Sequence, residues 1–321
     1  MKCINKKRLL VLITSLGLIL SIAVSGCGIS FADDKSSVYD IESCIVSAGT
    51  NTVANIGEIN FTNENVNTDL AKAAALYNLT DGTIMYSKNI HTKLYPASTT
   101  KILTAYVALK YGNLSDTVKI SERAVDLEPG ASRCHFQPGD LPTLEEVLYG
   151  FLICSGNDAG VAIAEHISGS VEEFAELMNK EAAAMGAVNS HFCNPHGLHE
   201  EEHYTTLDDL RIMFETAIKN EKFRHIIGQK SYTTTVANAS GESKEFTWNT
   251  TNRYFRGDAI NPATVTVLGS KTGTTNEAGS CIVLLTKDNY DKEYISIIMK
   301  TSDPGTLYLE MTDLLNTLIK K

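Results

Sequence analysis

Residues 73–88 read AAALYNLTDGTIMYSK, and the fold turns on how that stretch is paired. Two runs of alternating character flank Asp81-Gly82, a dipeptide suited to the tight turn of a β-hairpin. After about residue 230 more strand-like segments follow: SYTTTV (231–236), KEFTWN (244–249), ATVTVLG (263–269), CIVLLT (281–286) and YISIIMK (294–300). A terminal helix is predicted over Thr306–Lys320. Strands at both ends with helices between them predict one antiparallel sheet covered by helices, in which the early hairpin joins the late strands. No internal repeat appears.

The helical middle begins at Ser98–Tyr111, opened by Pro96 and closed by Gly112. Its residues are apolar on almost every side, which predicts a buried central helix. Thr143 with Glu146, and Ser170 with Glu173, have the spacing of capping boxes ahead of amphipathic runs, and Thr206 with Asp209 starts another helix.

With 321 residues, 43% of them hydrophobic, the chain is long enough for one large domain or two modest ones with a real core. Its first residues stand apart. Lys2, Lys6, Lys7 and Arg8 precede an uncharged, mostly apolar run from Leu9 to Val24, the pattern of an export signal. Val24-Ser25-Gly26-Cys27 resembles a lipoprotein-type box, which would make Cys27 the lipidated N-terminus, while Ser30-Phe31-Ala32 is a competing ordinary cleavage site; a lipid-anchored, a secreted and an uncleaved, membrane-anchored protein all place the body outside the cytoplasm. Residues 1–26 are therefore read as a lipoprotein-type signal peptide and 27–70, rich in Asn, Ser, Thr and acidic residues, as a flexible spacer. Residues 71–321 are read as the catalytic domain, with a helical subdomain inserted at about 112–230. Loss of the four basic leader residues takes the formal net charge from −10 to −14, which argues against nucleic acid as a partner. An acidic protein is repelled by an anionic cell surface, so a covalent tether to the membrane is useful to it.

The remaining cysteines, Cys44, Cys134, Cys154, Cys193 and Cys281, have no Cys-x-x-Cys spacing. A Cys134–Cys193 disulfide and a set of buried free thiols are both compatible with that pattern.

HEEEH at 199–203 matches the His-Glu-x-x-His signature, in which two imidazoles one helical turn apart bind zinc. That chemistry needs a helix with an apolar side. Here Pro195 and Gly197 break a helix just upstream, the pentad holds no apolar residue between its histidines, and the next helix begins at Thr206. The segment is read as a polar loop whose carboxylates face water, and no metal is assigned.

A better catalyst lies at Ser98-Thr99-Thr100-Lys101. Serine and lysine three apart on a helix share a face, so the amine reaches the hydroxyl, a nucleophile beside its base if Lys101 is neutral. Burial and a second nearby cation both lower a lysine pKa from its ordinary value near 10.4. Two further segments supply what is missing. Ser155-Gly156-Asn157 follows the helix of residues 143–153 and sets a hydroxyl and a carboxamide on a turn, suited to relaying a proton and holding an amide. Lys271-Thr272-Gly273 ends a strand, where Lys271 is the second cation, Thr272 can bind a carboxylate, and Gly273 admits close pairing of a substrate backbone. Arg253 and Arg256 are further candidates for holding a carboxylate.

These three motifs, 57 and then 116 residues apart, resemble those of the serine-type D-alanyl-D-alanine carboxypeptidases, the low-molecular-mass penicillin-binding proteins. PASTTKILTAY (96–106), SGNDA (155–159), FCNPHGL (192–198), HYTTLDDL (203–210) and GSKTGTTNEAG (269–279) carry the resemblance, which runs from about Ala73 to the C-terminus. It implies an α+β fold of the DD-peptidase and β-lactamase type. In that fold a five-stranded antiparallel sheet is covered by helices on both sides, and the active site lies between the sheet edge and an all-helical subdomain. It also implies that Ser98 is acylated and that Lys101 is the base. Ser155, Asn157 and Lys271 then complete the proton network, the N–H groups of Ser98 and Thr274 form an oxyanion hole, and Thr272 binds the substrate carboxylate. The activity implied is removal of the terminal D-alanine from peptidoglycan stem pentapeptides without metal or cofactor, with β-lactams as covalent inhibitors. Many members continue into a second, β-rich domain and an amphipathic anchor helix. This sequence stops at the expected last catalytic helix, so a lipidated Cys27 is expected to take the anchor's place.

A class A-like β-lactamase shares the motifs but deacylates with a loop glutamate, and no Glu-x-x-Leu-Asn segment lies between Asn157 and Lys271. A non-catalytic binder of β-lactams or wall fragments would need a blocked catalytic group, and all three motifs are intact.

Overall fold

A computed structural model describes residues 60–320. The leader, Cys27, Cys44 and most of the expected spacer lie outside the described residues. The last part of that spacer is packed rather than free. Phe61 bridges Ser87, Val66 and Thr68 are buried, and the Asn67 N–H donates to Asp313 at 2.7 Å.

The early hairpin forms as read: β1 (Ala73–Asn78) pairs antiparallel with β2 (Thr83–Lys88), the turn between them carrying Gly82 at φ +74°. The late strands are β5 (Val265–Thr275), β6 (Gly279–Asp288) and β7 (Glu293–Thr301), and β1 adds to β7 in the sheet order β2-β1-β7-β6-β5. This is the expected five-stranded antiparallel sheet. Its central strands are buried on both faces. In β7, Ile295, Ile297 and Met299 face one core while Tyr294 and Ile298 face the other, and β1 and β6 divide their side chains the same way. Burial on both faces explains why these strands read as nearly continuous apolar runs.

The segments at 231–236 and 244–249 do not join that sheet. They pair with each other as β3 (Ser231–Ala237) and β4 (Ser243–Asn249), a separate hairpin. Their threonines and charged residues alternate with Val236, Phe246 and Trp248, so each strand has only one face to bury. A two-sided core has no place for the other face. The hairpin instead lies against the helical part, where Phe136 packs on Phe246 and Trp248.

The helices are α1 (Lys101–Tyr111), α2 (Glu122–Val125), α3 (Leu144–Ile153), α4 (Asn157–Ser168), α5 (Val171–Met185), α6 (Leu207–Ala217), α7 (Glu221–Ile227), α8 (Arg253–Arg256) and α9 (Pro304–Leu318). Helix α1 is buried along most of its length, preceded by a 3-10 turn at Ala97–Thr100. Thr143 and Glu146 form a reciprocal capping box on α3, and Ser170 and Thr206 cap α5 and α6 through the N–H groups of Glu173 and Asp209. Helix α9 covers one face of the sheet, with Tyr254 of α8 packed on its Tyr308, and the long helices of the middle segment lie on the opposite side. No helix among the described residues is long and apolar enough to cross a membrane.

Candidate active site

Ser98 sits in the 3-10 turn that opens α1, and the residue before it, Ala97, has φ +47°. A non-glycine residue in that left-handed region costs of order 1 kcal/mol and persists only where its surroundings hold it. Here Gly197 supplies the close fit: a Cβ on it would lie 1.9 Å from the Ala97 carbonyl oxygen. The Thr100 hydroxyl donates to the same carbonyl at 2.8 Å. The turn is thereby fixed from below, with Ser98 half-buried at its rim.

One helical turn on, Lys101 is fully buried. Its Nζ donates to Asn157 Oδ1 at 2.7 Å and to the His196 carbonyl at 2.9 Å, and lies 2.7 Å from Ser98 Oγ. A neutral amine has two N–H donors and one lone pair. In the neutral amine the two acceptors use the donors, and the lone pair is left for the Ser98 hydroxyl; in the ammonium form all three contacts are donated by Nζ. Burial pushes the Lys101 pKa well below the usual lysine range, and the charge of Lys271 lowers it further. Of these two influences burial is the larger and the Lys271 charge the smaller.

Lys271 is also buried, and its Nζ donates to Ser155 Oγ at 3.0 Å and to the Thr272 carbonyl at 2.8 Å. Burial brings its pKa down to about 7. Ser155, at φ +64°, and Gly156 form the turn between α3 and α4, and Asn157 opens α4. That turn is anchored to residues 132–136: the Asn157 N–H donates to the Ser132 carbonyl at 2.8 Å, and Asp158 Oδ1 accepts from the Cys134 N–H at 2.8 Å. Beneath it the Cys134 and Cys154 thiols meet at 3.6 Å. All four described cysteines are free, so the Cys134–Cys193 disulfide is not present: Cys134 faces Cys154 instead.

The strand carrying Lys271 runs on to Thr275 instead of ending there. Gly273 has a tighter reason to be glycine than room for a substrate. A Cβ on it would lie 2.7 Å from the Ser98 backbone nitrogen and 3.0 Å from that of Thr99. The bare strand is what lets β5 close on the turn of Ser98.

These elements enclose a cleft of about 200 Å³ lined by Ser98, Ser155, Thr272, Gly273 and Thr274. Ser132, Thr251, Arg253, Pro304, Leu307 and Tyr308 complete it together with Cys281. No carboxylate is among these lining residues. A larger, shallow depression of about 1080 Å³ over residues 60–69 and β2 contains none of the motif residues. The cleft thus joins the three motifs, from α1, the α3–α4 turn and the edge strand β5. Arg253 lines it too, whereas Arg256 is turned outward to pair with Asp258 at 2.6 Å.

Sequence reasoning missed the His196 carbonyl, Ser132, Thr251 and the start of α9. A backbone acceptor leaves no mark on residue type. The Pro-His-Gly turn within FCNPHGL is the one sequence signal for the His196 carbonyl.

The His-Glu-x-x-His pentad is not helical. Glu200, Glu201 and Glu202 are exposed, while His203 is buried with Nε2 2.8 Å from Thr100 Oγ1 and Nδ1 accepting the Cys193 N–H at 3.1 Å. Burial lowers its pKa to about 3. A neutral buried histidine contributes stability that is present above about pH 6.5 and lost as pH falls towards the folded pKa, a difference of order a few kcal/mol. His203→Gln is expected to melt lower at pH 7 but to lose less melting temperature than the parent between pH 7 and pH 4. His196, lowered chiefly by its own burial, is present in both proteins, and only its smaller repulsion from His203 differs between them. Parallel pH slopes would remove this role from His203.

The family model for D-alanyl-D-alanine carboxypeptidases, peptidase family S11, matches residues 60–303. The D-alanyl-D-alanine carboxypeptidase DacF of Bacillus subtilis is 37% identical over 251 residues, 77% of this chain and 61% of that protein. The chain thus spans about three fifths of that relative's length. The D-alanyl-D-alanine carboxypeptidase of Streptomyces sp. strain K15 is 31% identical over 237 residues, 70% of this chain and 79% of that one. The crystal structure of the Streptomyces K15 DD-transpeptidase superposes with a TM-score of 0.72 at 29% identity, covering 78% of this chain and 97% of that chain. Motif geometry, sheet order and sequence agree, and the chain belongs to the D-alanyl-D-alanine carboxypeptidase family, peptidase family S11.

Proposed function

We propose that this protein is a serine D-alanyl-D-alanine carboxypeptidase that removes the terminal D-alanine from peptidoglycan stem pentapeptides and is acylated by penicillins. The observation that carries this reading is the buried Lys101 amine, whose two donors are engaged by Asn157 Oδ1 and the His196 carbonyl while Ser98 Oγ lies 2.7 Å away.

Ser98 Oγ attacks the carbonyl carbon of the penultimate D-alanine as its proton passes to Lys101 Nζ. The resulting oxyanion is held by the N–H groups of Ser98 and Thr274. The leaving nitrogen of the terminal D-alanine takes a proton through Ser155, which Lys271 and Lys101 keep supplied. The C–N bond breaks, and water then hydrolyses the Ser98 ester. Thr272 binds the terminal carboxylate, with Arg253 adding positive charge beside it. Gly273 keeps the strand close enough to Ser98 for the two oxyanion donors to converge. The absence of a carboxylate from the cleft lining favours a long-lived acyl-enzyme over the fast deacylation of a β-lactamase.

In the same reading residues 1–26 direct export, Cys27 carries a lipid that holds the enzyme at the outer face of the cytoplasmic membrane, and the spacer lets residues 71–321 reach the wall. The helical subdomain at about 112–230 forms the far wall of the cleft. The mass of the mature N-terminal peptide separates a lipidated Cys27 from cleavage after Ala32.

The test is incubation of the protein with a fluorescent penicillin, with and without a chelator, followed by peptide mapping. Label on Ser98 that outlasts many minutes and ignores the chelator is expected. Rapid release of hydrolysed drug would make it a lactamase, and label elsewhere would overturn the assignment of Ser98.

A further inference from the structure

Thr251 stands between the two halves of the cleft. Its N–H donates to the carbonyl of Ile153, the last residue of α3 and two before Ser155, at 3.2 Å. Its hydroxyl lies 2.7 Å from the hydroxyl of Thr272 on β5. The preceding N–H, of Thr250, donates to the Lys230 carbonyl at 2.9 Å, and Asn252 caps α8, so the backbone on both sides of Thr251 is held. Its side chain is half-buried and lines the cleft beside Ser98 and Thr272.

Two hydroxyls 2.7 Å apart share one proton in the bond between them. If Thr272 is the donor, its proton is consumed and its lone pairs face the cleft, where they repel an anion. If Thr251 is the donor, the Thr272 proton is free to point into the cleft, and the hydrogen bond it accepts polarises it into a stronger donor. The direction of this one bond decides whether Thr272 can receive a carboxylate.

We propose that Thr251 is a positioning residue for carboxylate recognition: it donates to Thr272 Oγ1, and so turns the Thr272 proton towards the carboxylate of an incoming peptide or β-lactam. The proposal rests on the reading of Thr272 given above. Thr251 itself touches no reacting atom. It acts through Thr272, and because it hangs from the end of α3 it fixes that hydroxyl relative to the Ser155 turn.

Thr251→Val keeps the branched shape and deletes the hydroxyl, and Thr251→Ser keeps the hydroxyl. Acylation is followed over a range of concentrations with benzylpenicillin, a free acid, and with its methyl ester, which carries no carboxylate anion. For the acid, Thr251→Val is expected to weaken apparent affinity about tenfold while the limiting acylation rate stays within about twofold, and Thr251→Ser to restore affinity. For the ester, the Thr251→Val and parent proteins are expected to react at the same rate. A loss shared equally by acid and ester, a loss confined to the limiting rate, or no loss at all would each overturn the proposal. If the parent protein is not acylated by the acid, the reading of Ser98 fails first, a result distinct from any difference between the variants.

Discussion

Lys101→Met is expected to lower the second-order rate of Ser98 acylation by about 10³-fold or more, while the protein still folds. Methionine is unbranched, has nearly the length of lysine and adapts to irregular cavities, so the fully buried channel beside Phe151 stays filled. What disappears is the lone pair 2.7 Å from Ser98 Oγ. Asn157 Oδ1 and the His196 carbonyl lose their donor as well, at about 1–3 kcal/mol each where no water replaces it. Against that stands the removal of an amine whose burial already holds its pKa far down. A modest fall in melting temperature with a near-total loss of acylation separates a proton acceptor from a structural brace. The measurement is labelling by a fluorescent penicillin at matched folded protein, judged by thermal melting. A variant that still labels within tenfold of the parent would remove Lys101 as the base and shift that duty to Ser155 and Lys271.

How much of this was legible in the sequence follows from what each residue's surroundings demand of its type. The early hairpin and strands β5 to β7 were readable because burial on both faces selects runs such as CIVLLT and YISIIMK, which no exposed loop tolerates. Strands β3 and β4 were recognised as strands and placed in the wrong sheet. Alternation reports that one face is buried, not which surface buries it, and the partner here is Phe136 and its neighbours, far away in sequence. The three motifs were legible because the proposed chemistry requires serine, lysine and asparagine at fixed offsets. The backbone that presents them was not: Ala97 and Ser155 hold positive φ without the glycine or asparagine that usually announces it. The strain is imposed by tertiary contacts, Gly197 against the Ala97 carbonyl in one case and the Ser132 carbonyl on the Asn157 N–H in the other. The pentad at 199–203 misleads for a related reason. His203 is required for what it packs against, Phe192 and Thr100, and spacing alone cannot separate that from metal binding.

Gly273→Ala carries the second large expectation, because it tests the closure of strand on turn without removing any polar group. The added methyl would meet Ser98 N at 2.7 Å, Ala97 Cβ at 3.0 Å and Thr99 N at 3.0 Å, two of them backbone atoms that cannot rotate away. On its other side Gly273 pairs with Cys281 in β6, so the strand cannot retreat without loosening the sheet, and the turn cannot retreat without disturbing buried α1. Ordinary contact begins near 3.4 Å, and the gap must open by roughly 0.7 Å. Overpacking of that kind costs about 1–3 kcal/mol, which a domain with two full hydrophobic layers survives. In the proposed mechanism the N–H groups of Ser98 and Thr274 hold the oxyanion, and such donors act only when both converge on one point, so forcing β5 away from the Ser98 turn is expected to lower acylation about 10²- to 10³-fold. Because the proposed carboxylate contact is made by the Thr272 hydroxyl and not by the oxyanion donors, the loss should appear in the limiting acylation rate more than in apparent affinity. That is the reverse of the split expected for Thr251→Val, so the two variants measured side by side separate oxyanion stabilisation from carboxylate recognition. A Gly273→Ala protein that acylates within threefold of the parent would mean the two donors do not converge across this contact, and the oxyanion would have to be held elsewhere.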